Sequence, residues 1–306
     1  MSGLFDDFRS EFNKPNNTLV QLILINTIIF LLLLVLQVVT TLSQTSGVYN
    51  LVLNQFQLSA YLPEFVQKPW TLITYYFTHV DVFHILFNML FLYWFGRLVD
   101  EYLGSRRLVA LYMLGGLIGG LAYMGIYNLM PYFQAKVAGS GMIGASAATF
   151  AVAVGASTLL PNYTFHLLFF GPVRIKYITF FYIVLSLARS IGPNAGGELS
   201  HLGGALLGFV FIKLLQNGTD IGQPLYWIMD TWQGLFRKKP PVRVTQRQRS
   251  GASAHAATYT SAAASTTASV PDQDEIDAIL DKISRSGYES LTREEKQKLF
   301  RASQRN

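Results

Sequence analysis

Hydrophobic residues in this chain run in long blocks rather than alternating, and the blocks are the first thing that predicts structure. The clearest is Leu19 to Leu42, broken only by Asn26 and Gln37, and it is long enough to cross a bilayer as a helix. Five more follow at about Phe83 to Leu98, Leu108 to Leu129, Gly144 to Leu160, Ile175 to Ala188 and Leu199 to Leu215. Several are short for a crossing and need support from interfacial neighbours. The pattern predicts an all-α, polytopic membrane protein with six transmembrane helices. Small residues four apart, Gly115 with Gly119, Gly116 with Gly120 and Gly204 with Gly208, let helix backbones approach closely in lipid and favour a compact bundle.

The polar stretches between the blocks set the boundaries. Residues 1–17 form a cytosolic segment with no sign of a removable signal peptide. Its Leu4, Phe5, Phe8 and Phe12 fall near helical spacing, as in a helix lying on a membrane or an ordinary surface helix. Residues 18–216 form the membrane domain. In it, Ser43 to Val82 reads as a long structured loop whose Tyr61, Trp70, Tyr75, Tyr76 and Phe77 rest at the outer interface. Residues 217–270 begin with an aromatic stretch containing Trp227 and Trp232. They continue through basic Arg237 to Arg249 into an Ala, Ser and Thr-rich flexible linker, Ser250 to Val270. In residues 271–306, Ile276, Ile279, Leu280 and Ile283 form an apolar helical stripe. Gly287 ends that helix, and Thr292 with Glu295 makes a capping box for a second. A small cytosolic helical hairpin results, too short to fold readily alone and suited either to docking on a partner or to standing as solvated helices.

Composition agrees with a membrane protein and narrows the chemistry. The 306 residues are 51% hydrophobic and 14% charged, with a mean hydropathy of +0.30. No cysteine is present, which excludes disulfides, thiolate metal sites and a cysteine nucleophile. The formal charge of +6 does not point to nucleic acid, because the basic residues sit beside the apolar blocks. Arg97, Arg106, Arg107, Arg174, Lys176, Lys213 and Arg237 to Lys239 put one set of loops in the cytoplasm, and six crossings place both termini there.

Polar groups inside apolar spans need a reason, and four stand out: His84, Asn88, Ser146 and His201. With the amino terminus inside, the second, fourth and sixth spans start at the outer face. His84, Ser146 and His201 each lie near one of those starts, and Asn88 lies one turn below His84. The four groups therefore converge at one depth. A serine hydroxyl becomes a nucleophile when an imidazole takes its proton, and the resulting oxyanion needs donors. Ser146 and His201 suit the first task, and His84, Asn88 and the Ser146 N–H the second.

His84-Ile85-Leu86-Phe87-Asn88, Gly144-Ala145-Ser146 and His201-Leu202-Gly203-Gly204 with Gly208 resemble the H-x-x-x-N, G-x-S-G and H-x-x-G-x-x-x-G motifs of rhomboid proteases, in order, over about Thr18 to Leu215. The resemblance implies an intramembrane serine endopeptidase of the bacterial inner membrane. It would cleave transmembrane helices of other proteins with a Ser146–His201 dyad, no acidic third member, no cofactor and no metal. Phe150 takes the place of the family's tyrosine that stacks on the base histidine, and Ala147 replaces the glycine after the nucleophile. Ala147 is expected to be tolerated at a helix start with ordinary helical angles. Gly144, Ala147 and Phe150 thus belong to the expected binding surface. His79 and Asp100 extend the match as structural residues. Gly141, Met142 and Ile143 read as a flexible shielding loop, and Ser140, Asn194, Glu198 and Ser200 as the rim of a wet cavity. The fifth span, with bulky Phe180, Phe181 and Tyr182, reads as the substrate gate or as a lipid-facing aromatic surface.

Three rival classes are weighed. A silent rhomboid-like protein that escorts helices uses the same fold without hydrolysis. A metalloprotease on His79, His84 and His201 lacks the H-E-x-x-H spacing and a ligand carboxylate. A solute transporter lacks a visible inverted repeat.

Overall fold

The structure is a computed structural model, and it describes residues 17–167, 170–236, 273–286, 290–292, 294–295 and 298–299. The stripe at Leu4 to Phe12, the linker Ser250 to Val270 and Gly287 lie outside the described residues. The chain divides into two units, residues 1–239 and 240–306.

Six principal helices build the first unit: α1 Thr18–Leu42, α2 Val82–Leu103, α3 Ser105–Leu129, α4 Ser146–Leu159, α5 Ile175–Arg189 and α6 Ala195–Gln216. Of these, α1, α2, α3 and α6 are long and apolar enough to cross a membrane. At 14 residues, α4 spans only about 21 Å, and α5 has 15 residues. A further helix, α7, Gln223–Phe236, occupies the stretch containing Trp227 and Trp232.

The ends of these helices follow from local chemistry. The carboxylate of Asp81 caps α2 by accepting from the His84 N–H at 2.7 Å. Gly104, at φ +82°, reverses the chain between α2 and α3, a conformation that suits a residue without Cβ. Asp100 secures that turn by accepting from the Ser105 hydroxyl at 2.7 Å.

Close packing centres on α4, which lies against α6 and α3 through small residues. A side chain at Gly119 would collide with Ala147 Cβ, and one at Gly204 or Gly208 with the carbonyls of Ala147 and Ala151. Every residue of α4 from Ala147 to Ser157 is buried as a result. By contrast α1 buries one stripe, Leu19, Leu22, Asn26, Phe30 and Leu33, and turns Leu31, Leu32 and Val35 outward. Buried Asn26 is spent on structure: its Nδ2 donates to Tyr112 Oη at 2.9 Å, and Tyr112 donates to the Tyr76 carbonyl at 3.0 Å.

Two sequence expectations are corrected. The fold is mostly helical but not all-α, because Thr164–Leu167 and Gly171–Arg174 pair as an antiparallel hairpin between α4 and α5. Four-residue strands are too short to stand out against apolar blocks. The loop from Ser43 to Val82 is structured as expected, in short helices, Ser46–Leu53, Leu62–Gln67 and Thr71–Thr74, with a 3₁₀ turn at Tyr75–Phe77, and the correction concerns where its aromatic rings lie. Tyr61 and Trp70 are exposed as expected, but Tyr75 and Tyr76 are wholly buried. Gly116 and Gly120 of α3 leave the slots those rings fill, and the Tyr75 hydroxyl donates to the Gly116 carbonyl at 2.5 Å.

In the second unit, α8 is Gln273–Ser286, with Ile279 buried. Thr292 and Glu295 bond reciprocally: the Thr292 N–H donates to the Glu295 carboxylate at 2.7 Å, and the Glu295 N–H to the Thr292 hydroxyl at 3.3 Å. Those bonds hold the half-buried Glu295 carboxyl down at about 2, with further help from Lys282 at 2.9 Å.

Candidate active site

The start of α4 is fixed before its hydroxyl is considered. Met142 and Leu58 exchange backbone hydrogen bonds at 2.9 and 3.0 Å, and the Gly144 N–H donates to the Tyr75 carbonyl at 2.9 Å. The next N–H, of Ala145, donates to His79 Nε2 at 3.2 Å. Met142 is buried by these contacts, so the segment read as a flexible loop is a pinned one. Ser146 then opens α4. The first N–H groups of a helix lack intrahelical acceptors, which leaves the Ser146 N–H among the available donors.

Ser146, His201, His84, Asn88 and Phe150 border one cavity of about 610 Å³. They come from three helices: α2 supplies His84 and Asn88, α4 supplies Ser146 and Phe150, and α6 supplies His201, while Tyr182 of a fourth, α5, closes the side. The rings of Phe150 and His201 stack at 4.4 Å with 12° between their planes, which fixes the imidazole's plane. Tyr182 meets Phe91 edge-on at 4.9 Å and Phe150 at 6.3 Å. Among the described residues no hydrogen bond joins Ser146 Oγ to His201. Such bonds are commonly long in free enzymes and tighten with substrate.

Gly144 does not line the cavity; it backs His84. At φ +120° it is where an L side chain fits badly, and an added Cβ would lie 2.5 Å from His84 Cε1. Ala147 does not line the cavity either. It is wholly buried in α4, outside the left-handed region, with its methyl toward Gly119 of α3. Asn88 is heavily engaged: Nδ2 donates to the His84 carbonyl at 2.9 Å and lies 3.2 Å from His79 Nε2, while Oδ1 is 3.3 Å from the Thr149 hydroxyl.

Of the polar residues expected at a wet rim, Asn194 and Glu198 border the cavity. Ser200 is buried, with its hydroxyl on the Gly197 carbonyl at 2.8 Å, and Ser140 lines a separate small pocket. Sequence reasoning missed what holds the other edge of His201. Nδ1 lies 3.0 Å from the Ser186 hydroxyl and 3.3 Å from Glu198 Oε2, and Glu198 Oε1 pairs with Arg189 at 3.2 Å. The signal was present, since Glu198 precedes His201 by three residues and shares its helix face.

This constellation coincides with a known domain. The family model of the rhomboid domain matches residues 66–217. The chain belongs to the rhomboid family. It is 31% identical over 157 residues to RHOMBOID-like protein 12, mitochondrial, of Arabidopsis thaliana, covering 48% of this chain and 47% of that protein. RHOMBOID-like protein 1 of the same plant is 35% identical over 49% of this chain and 36% of its own length. The chain therefore spans about half or less of those relatives. The rhomboid protease GlpG of Haemophilus influenzae is 26% identical over 63% of this chain and 95% of its own length. Residues 269–305 match a second family, DUF6576, of unknown function. As a rhomboid protein the chain is a membrane protein, and its family includes serine proteases acting within the bilayer.

Proposed function

We propose that the chain is an intramembrane serine endopeptidase that cleaves transmembrane helices of other proteins. The observation that carries this reading is the meeting of Ser146 and His201 in one cavity with His84, the imidazole being held flat against Phe150. His201 takes the proton of Ser146 Oγ as the oxygen attacks the scissile carbonyl. The tetrahedral oxyanion is met by the Ser146 N–H and by His84, and the imidazolium returns its proton to the leaving amine. Water then hydrolyses the acyl-enzyme with the same base. Asn88 is held by the His84 backbone carbonyl and the His79 ring, and reaches the oxyanion only by giving up one of its present bonds. Ala147 is compatible with this chemistry, because its methyl lies in the α3 interface.

In this reading all six helices cross the bilayer, with Ser146 near the outer face and both termini cytoplasmic. The short α4 begins below the outer surface, the loop before it completing the crossing, and the cavity above it admits water. Substrate enters beside α5, whose Phe180 and Phe181 face outward while Tyr182 borders the cavity. The membrane is the inner membrane of a bacterium, and residues 271–306 form a cytosolic helical hairpin available to a partner. A second reading, a silent protein that escorts helices, draws on the full engagement of the Asn88 amide. A fluorophosphonate separates the two: labelling of wild type that disappears in Ser146→Ala supports the protease, and an unlabelled Ser146 in folded protein favours the silent reading.

A further inference from the structure

The resemblance to rhomboid proteases implies a dyad without an acidic member, yet a carboxylate stands beside the base. Glu198 and His201 lie three residues apart on α6, so their side chains share one face. Glu198 Oε2 is 3.3 Å from Nδ1 of His201, and the Ser186 hydroxyl of α5 is 3.0 Å from the same nitrogen. The carboxylate is not a chance surface group, as only 6% of its side chain is exposed. Its other oxygen, Oε1, is held at 3.2 Å by Nε of Arg189, at the end of α5. Both carboxylate oxygens are thus engaged, one by a cation and one by the imidazole.

We infer that Glu198 is a positioning residue for His201, the third member of a Ser146–His201–Glu198 arrangement. The inference rests on the protease reading for its catalytic meaning and on geometry for the contact itself. An ionised carboxylate only accepts hydrogen bonds, so its approach to 3.3 Å favours the proton on Nδ1, where the Ser186 hydroxyl at 3.0 Å can accept as well. That choice leaves Nε2 with its lone pair, the form a general base needs. When His201 becomes imidazolium, the adjacent carboxylate faces the new positive charge without any rearrangement. Stacking on Phe150 fixes the plane of the ring, and Glu198 with Ser186 fixes its rotation within that plane.

The arrangement also ties the base to α5. Two of the contacts that hold the Nδ1 edge, Ser186 directly and Arg189 through Glu198, come from that helix. A displacement of α5 therefore loosens the orientation of His201.

The test uses full-length protein in detergent or bilayers, comparing wild type, Glu198→Gln, Glu198→Asp and Ser146→Ala. Gln has the same shape but presents an amide donor, which can make Nδ1 an acceptor and move the proton to Nε2. We expect kcat for a model transmembrane substrate to fall on the order of 100-fold in Glu198→Gln, within the range general-base catalysis supplies, with KM nearly unchanged. Partial recovery is expected in Glu198→Asp, and fluorophosphonate labelling should slow in parallel with kcat. Nitrogen-15 spectra of the imidazoles, assigned by comparison with His201→Gln, should show His201 protonated on Nδ1 in wild type and shifted toward Nε2 in Glu198→Gln. Cleavage by Glu198→Gln within about threefold of wild type, or an unchanged tautomer, overturns the role of Glu198. A wild type that neither cleaves nor labels sinks the protease reading, and the tautomer, read on the same samples, still decides whether Glu198 orients the ring.

Discussion

Two neighbouring helices, α4 and α5, border the same cavity and are held by different means. Along α4 every residue from Ala147 to Ser157 is buried, and its backbone rests on glycines of α3 and α6. Along α5 only Ile175, Thr179 and Ser186 are buried, while Tyr177, Phe180, Phe181 and Leu187 are exposed. Two of those three buried residues are polar, and each makes a bond to a neighbour: Thr179 donates to the Ser157 hydroxyl at 2.8 Å, and Ser186 meets His201. Helices in lipid gain no hydrophobic drive toward each other, so close packing of small residues and a few hydrogen bonds decide how firmly each is held. By that measure α4 is anchored and α5 is clasped. Ser146, the proposed nucleophile, stands on the anchored helix, while the clasped helix contributes contacts to the edge of His201, the proposed base.

The largest effect should come from filling the glycine seam. Gly204→Val drives a side chain into the Ala147 carbonyl and should destabilise the bundle by roughly 3 kcal/mol or prevent folding. Thermal unfolding in detergent measures it, and a melting curve like wild type's would show that α4 is not anchored there. Tethering α5 should come next. Because the chain lacks cysteine, Tyr182→Cys with Phe91→Cys offers a unique pair for a bifunctional thiol reagent that replaces the two rings, which meet edge-on at 4.9 Å. Cross-linking it should lower cleavage of a helical substrate on the order of tenfold while a small fluorophosphonate still labels Ser146. Cleavage unchanged by the cross-link would remove α5 as the gate.

Thr179→Val should have a milder consequence, since interhelical hydrogen bonds in membranes average about 0.6 kcal/mol. A small drop in melting temperature with faster substrate cleavage is expected, and a change as large as that of Gly204→Val would erase the contrast between the helices. The smallest effect lies outside the membrane domain. The Glu295 carboxyl titrates at about 2, below its usual value of 4.5, so its contribution to the cap is complete above about 4.5 and fades as pH falls through 2. The Thr292 amide resonance in the full chain should follow that titration; a midpoint near the ordinary carboxylate range would show that the cap is not formed.

Much of the helical framework was legible because long apolar runs report helices directly. Predicted and observed limits differ by few residues for α1 and α5, and by up to five for α2, which continues to Leu103. Convergence of His84, Asn88, Ser146 and His201 was legible too, since depth follows from counting spans. The hidden parts depend on side-chain packing. Tyr75 and Tyr76 have the composition of an interfacial belt, and only glycines far along the chain at Gly116 and Gly120 reveal that they point inward. Ala147 stands next to Ser146 in sequence, but helical rotation turns its methyl away from the cavity. Glu198 showed its polarity in the sequence, though its partner on α5, Arg189, appears only once the helices are packed.

The central claim, that Ser146 and His201 form a hydrolytic pair, is tested most directly by incubating purified protein with a model transmembrane substrate. Wild type should cleave it within the membrane-spanning segment, and Ser146→Ala and His201→Ala should each abolish the product while remaining folded. Cleavage that survives either substitution, or folded wild-type protein that yields no product, would contradict the account.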